Sequence, residues 1–241
     1  MARSLFLSQL QYLIRHYRVI SLSDYLAARR NNRAIPPYSL ILTFDDGFRN
    51  FLTVAVPVLK ELRLPATMFL VTNWVEERVE PIPDPRWAPS DDRVSLSWPE
   101  ARALRSMSGI EFGSHTCSHP MLPQLSSAEL ERELHDSLCA MHDGLLEPFL
   151  PLLAYPYGGY SESIAEKACQ LGYSCALTTE AGSNSNSTDF FRLRRSVVRR
   201  FDNIEVFASR VSGLVGWLRI GRDYLQRLSL PLMRAWNSEF L

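Results

Sequence analysis

The residues best placed to do chemistry are two adjacent carboxylates and two histidines. Asp45 and Asp46 close an apolar run, Ser39-Leu40-Ile41-Leu42-Thr43-Phe44, and Gly47 follows them. A short apolar run bounded by a turn signal reads as a buried parallel strand, and α/β proteins place their chemistry on loops beyond such strand ends. Along an extended strand the two acids would point to opposite faces. A turn at Asp46-Gly47 brings both into one pocket. Taken alone, Asp-Asp-Gly fits a helix cap better than a site. A second stretch, Gly113-Ser114-His115-Thr116-Cys117-Ser118-His119-Pro120, changes that balance. It holds two of the five histidines, four residues apart, the spacing of one helical turn. Pro120 steers His119 away from the α region, so the turn sits at a strand end and not in a long helix. A histidine pair alone is commonly a polar turn, but joined to Asp46 it makes two imidazoles and a carboxylate. That is a ligand set for a catalytic divalent metal, zinc being the usual occupant. Asp45, beside a ligand and not needed as one, is placed to act as general base.

With a third stretch, Ala154-Tyr155-Pro156-Tyr157-Gly158-Gly159-Tyr160, these motifs resemble, in order, those of the polysaccharide deacetylase family (NodB homology, carbohydrate esterase 4). The likeness reaches about residue 212 and is strongest to the branch linked to exopolysaccharide and poly-N-acetylglucosamine deacetylation. It implies an α/β fold, a deformed, incomplete (β/α) barrel. It also implies a hydrolase that removes N-acetyl groups from a polysaccharide or its precursor with zinc, or alternatively cobalt or nickel. By the same resemblance Pro156 and Tyr157 contact substrate, the Tyr157 N–H faces the developing oxyanion, and Arg195 lies near the catalytic centre. The chain departs from the family twice. The third motif's usual arginine is missing, since Leu150-Pro151-Leu152-Leu153 precedes it, and Arg195 is the expected substitute. The family's general acid, a late Leu-x-His histidine or an N-terminal Tyr-His-Arg-like strand, has no counterpart, because no histidine follows His142 and His16 falls in a helical pattern. The expectation is that the first strand of that branch is lacking.

Composition narrows the alternatives. The 241 residues carry 26 basic and 26 acidic side chains and are 46% hydrophobic, which suits one folded domain and gives no general attraction for nucleic acid. Arginines cluster at Arg192, Arg194, Arg195, Arg199 and Arg200, and on a neutral chain a solvated strand face explains them better than a nucleic-acid surface. Cys117, Cys139, Cys169 and Cys175 follow no zinc-knuckle or disulfide-framework spacing. Cys117, two residues from each histidine, reads as a packed thiol. His135 and His142, seven apart, lack a convincing acidic partner and read as solvated. No signal peptide and no membrane-length apolar run is recognisable, making a cytoplasmic location the expectation, or a periplasmic one if the N-terminus is truncated.

The positioning elements follow from periodicity. Residues 4–17 have helical apolar spacing, and Val19–Leu22 reads as a strand. A helix over 24–30 is capped by Ser21 or Ser23. Further helices are expected over 50–62, from Ser97 with Glu100, from Ser126 with Glu129, and over 162–171 ended by Gly172. Strands are expected at 65–71, 110–112, 152–155 and 175–178. The proline-rich run 81–92 suits a lid or binding loop, and Trp74, Trp87 and Trp98 are candidate sugar-stacking residues. Residues 1–212 then form the catalytic domain. Residues 213–241 form a helical extension suited to the barrel, another subunit or a membrane surface. Two other functions fit these residues: a catalytically impaired barrel that binds glycan or a biosynthetic partner, and a metal amidase for a small cytosolic substrate.

Overall fold

A computed structural model describes residues 3–77, 95–107, 109–146, 148–199 and 201–212. The expected loop 81–92 with Trp87, and the extension 213–241, lie outside the described residues. Helix α1 (Arg3–His16) leads into strand β1 (Arg18–Val19) and α2 (Leu22–Arg30). Then come β2 (Ser39–Leu40), β3 (Thr43–Phe44), a π-helical turn at Phe51–Ala55, α3 (Val56–Leu62), β4 (Ala66–Leu70) and α4 (Thr72–Glu77). The chain continues through α5 (Trp98–Arg105), β5 (Ile110–Ser114), α6 (Ser127–Leu145), β6 (Leu152–Ala154), α7 (Glu162–Gln170), β7 (Cys175–Leu177) and α8 (Ile204–Val211). All pairings between these strands are parallel, in the order β3-β4-β5-β6-β7, with β1 and β2 as a separate pair. This is an incomplete, deformed (β/α) barrel.

Side chains alternate between two faces of the sheet, as a pleat requires. Met68 and Leu70 face outward onto α1, α3 and α5, while Phe69 faces inward. Likewise Leu153 and Tyr155 meet α6 and α7, whereas Leu152 and Ala154 join Phe69, Cys175 and Leu177 inside. Leu22, Tyr25 and Leu26 of α2 pack on this inner cluster, filling the concave side of an unclosed barrel. Room for the fully buried Phe69 ring comes from Gly113, where a Cβ would stand 2.5 Å from the ring and 2.9 Å from Leu152.

Several expectations need correction. The run Ser39–Phe44 is not one fully buried strand. Its first half pairs with β1 and its second with β4, and every residue in it is only half-buried. It sits where an open barrel changes partners, so neither neighbour covers it along its whole length. The second helix begins at Leu22, not residue 24, because Ser21 is its cap and accepts from the Asp24 N–H. The helix expected over 50–62 opens as a π turn before Pro57. Over its described residues, 190–199, the arginine-rich stretch is no strand face: it is a short 3₁₀ turn at Phe190–Arg192, one bridge from Leu193 to Leu177, and irregular chain. The capping boxes at Ser97–Glu100 and Ser126–Glu129 form as their sequences indicate, and Gly172 follows α7 with φ +93°.

Candidate active site

The inward parity of the strands delivers the functional side chains. On β5, Glu111, Gly113 and then His115 occupy alternate inward positions, and His115 is only 2% exposed. Along the run that contains β3 the inward set is Ile41, Thr43 and Asp45. Alternation alone would turn Asp46 outward. Left-handed backbone at Asp46 (φ 75°) and Gly47 (φ 79°) reverses it. A side chain at Gly47 would also stand 2.8 Å from Leu70.

His115 and His119 are not one helical turn. Thr116 (φ 70°) and His119 (φ 62°) are left-handed, and the chain loops between them. That loop still brings the imidazoles together, Nε2 to Nε2 3.2 Å apart. Asp46 Oδ1 lies 3.6 Å from each Nε2. These edges match a face of a tetrahedron whose centre is about 2.0–2.2 Å from each ligand, the distance of zinc from nitrogen and carboxylate oxygen. The residues therefore fit a divalent ion. Cys117 is not among this trio. His115 Nδ1 stands 2.7 Å from the Ala154 carbonyl, which fixes Nδ1 as the donor and leaves the Nε2 lone pair facing the cluster. Burial, reinforced by His115, pushes the His119 pKa down to about 4, so this ring is neutral at pH 7 and free to coordinate.

The two aspartates differ in charge state. Burial would raise the Asp45 pKa, but the Arg195 guanidinium and the imidazoles outweigh it and hold the carboxyl below its usual range. Arg195 grips both Asp45 oxygens at 2.7 Å. It is itself fixed by a hydrogen bond from Nε to the Thr178 carbonyl at 2.8 Å. For Asp46, burial together with the charge on Asp45 outweighs the help of His115 and raises the pKa. A cation at the cluster removes that cost.

Around the cluster, Trp74 lies 5.6 Å and Tyr157 4.6 Å from the His119 ring, measured between centroids. Tyr157 sits in a 3₁₀ turn, Pro156–Gly158, with left-handed φ 59° and its side chain exposed. Trp98 is elsewhere, half-buried beneath Gly144 of α6. The remaining histidines are on helix faces: His16 beside Tyr12, His135 by Asp136, and His142 by Asp143. Sequence reading did not find the Ala154 carbonyl or the acceptor that holds the His115–His119 loop, Glu133. Backbone partners leave no residue-type signal, and Glu133 sits among other charges on an exposed helix.

A parallel, unclosed (β/α) barrel with two imidazoles and two carboxylates at its strand ends is a scaffold of the polysaccharide deacetylase type. The sequence model described as polysaccharide deacetylase matches residues 32–176, and the chain belongs to that family. Poly-beta-1,6-N-acetyl-D-glucosamine N-deacetylase of Escherichia coli strain K12 is 23% identical over 232 residues, covering 81% of this chain and 33% of that one. Among solved structures, the Streptococcus pyogenes deacetylase PplD in complex with acetate superposes with a TM-score of 0.73 and 26% identity, covering 87% of this chain and 86% of that one. IcaB from Ammonifex degensii gives a TM-score of 0.74 at 20% identity, covering 88% and 89%, a likeness of fold. The chain spans 27% to 60% of the length of the curated relatives it matches.

Proposed function

We propose that this chain is a metal-dependent N-deacetylase acting on N-acetylhexosamine units of a polysaccharide or its biosynthetic precursor. The observation carrying the reading is the Asp46–His115–His119 triangle beside an arginine-held Asp45. Asp46, His115 and His119 would hold the ion, zinc before cobalt or nickel. A divalent cation so held lowers the pKa of a water molecule and polarises the amide carbonyl.

The chain's own residues supply the rest. Asp45, kept anionic by Arg195, takes the proton of the attacking water. The two-point grip of Arg195 fixes which carboxylate lone pair faces the cleft. The Tyr157 N–H stabilises charge on the carbonyl oxygen, where one such donor is worth about 2.7–4 kcal/mol. Trp74 and Tyr157 flank His119 and offer apolar surface to the sugar and its acetyl group. Within residues 1–241, two histidines form the triangle and three lie on helix faces, so none of these five stands as general acid. The proton taken by Asp45 then passes to the departing amine, giving acetate and a free amino group.

Acetate release from an acetylated β-1,6-glucosamine oligomer, set beside a chito-oligosaccharide, tests this reading. Turnover with added Zn²⁺ or Co²⁺ that chelator abolishes is the expected result. Glycan binding without turnover would instead support an impaired, glycan-binding barrel, the reading favoured by the absent histidine acid.

A further inference from the structure

The loop between the histidines is shaped from outside itself. Thr116 N–H donates to Ser114 Oγ at 3.0 Å, and Cys117 and Ser118 N–H both donate to one oxygen of Glu133 at 3.0 Å. The other Glu133 oxygen accepts from Ser118 Oγ at 2.6 Å, and His119 N–H donates to Thr116 Oγ1 at 3.1 Å. Four consecutive amides are thus tied to side chains, and the left-handed turns at Thr116 and His119 let them converge. Successive N–H groups gathered in this way form a nest for an anion. Here the anion is a side chain, and it comes from α6. One turn further along the same helix, Ser137 Oγ meets Ser114 Oγ at 2.5 Å.

We propose that Glu133 is a positioning residue for the metal centre: its carboxylate, seated in the amides of residues 117 and 118, sets the spacing of His115 and His119. The inference rests on reading Asp46, His115 and His119 as metal ligands. The loop's carbonyls are held from α4, where the Thr72 and Asn73 N–H groups donate to the Thr116 and Cys117 carbonyls, and His115 N–H still pairs with the Leu70 carbonyl. The amides of residues 117 and 118, however, are seated on Glu133, between the two imidazoles. Without the nest's occupant the amides turn to water, the left-handed residues relax, and the 3.2 Å contact between the rings is no longer held. The role asks for acceptor position more than charge. A glutamine can accept both amides on its oxygen and donate to Ser118 Oγ with its nitrogen, whereas an aspartate is a methylene too short to reach.

The test is the affinity of the full chain for Co²⁺ and Zn²⁺, read from cobalt absorption and chelator competition, with apo thermal unfolding recorded alongside. Loss of an outer partner of a metal ligand typically weakens binding about 10- to 100-fold, the expectation for Glu133→Ala and Glu133→Asp. Glu133→Gln is expected to stay within about threefold of the parent. Wild-type affinity in Glu133→Ala overturns the inference. So does the reverse order, with aspartate tight and glutamine weak, which also decides the matter should the alanine variant not fold. His115→Ala is the control: if it too binds metal normally, the metal reading fails, and if only it loses metal, the failure belongs to Glu133 alone.

Discussion

Asp45 and Asp46 are neighbours in sequence with opposite electrostatic surroundings, and under the proposed function that difference gives them different work. Asp45→Asn keeps the shape and the cluster but cannot accept a proton. We expect acetate release to be lost while Co²⁺ still binds, measured by turnover beside cobalt absorption. Arg195→Lys replaces a two-point grip with a single mobile charge. A misplacement on the ångström scale costs about 100-fold, so kcat should fall by up to that factor with metal affinity unchanged. The pH dependence has a defined sign. Because the Asp45 pKa is lower folded than unfolded, its ion pair stabilises the protein above the unfolded value, about 3.9. That stabilisation disappears as pH falls through the folded value. The melting-temperature gap between metal-free wild type and Asp45→Asn should therefore be widest near neutrality and close under acid conditions. Most of these groups were legible in the sequence because only five histidines occur and the paired aspartates and paired histidines stand in short, ordered motifs. Glu133 and the Ala154 carbonyl were not, since they act through backbone groups that composition does not mark.

At the scale of elements, strands and capped helices were readable where local chemistry decides them. Ser97 and Ser126 meet a glutamate three residues later, and both capping boxes form. What failed was anything set by a distant partner. The run 39–44 divides between β1 and β4 because the barrel stays open there, a fact no window of residues contains. The histidine spacing suggested a helical turn, but two left-handed residues produce the same convergence through a loop. Gly113 offers a test of the inner face. Gly113→Ala forces a methyl against Phe69 and Leu152 and should destabilise by about 1–3 kcal/mol, measured by urea unfolding. Phe69→Leu in the same chain should recover part of that loss if the clash is the cause.

At the scale of the whole molecule, the cluster gathers residues from two different strand ends, so occupancy and folding are linked. An ion that binds only the folded chain stabilises it by about 2.7 kcal/mol when present at one hundred times its Kd. Thermal scans should show an upward shift with Zn²⁺ that chelator reverses and His115→Ala abolishes. The proton competition at Asp46, whose pKa is raised by burial, should make that shift shrink as pH falls. The Arg195–Asp45 contact joins positions 150 apart in the chain. A nascent polypeptide on the ribosome therefore carries both aspartates and both imidazoles long before the guanidinium that orients the base has been synthesised. Under the proposed function, hydrolytic competence waits on the segment from Thr178 to Arg195, and a proteolytic nick within it would silence the site without touching a ligand.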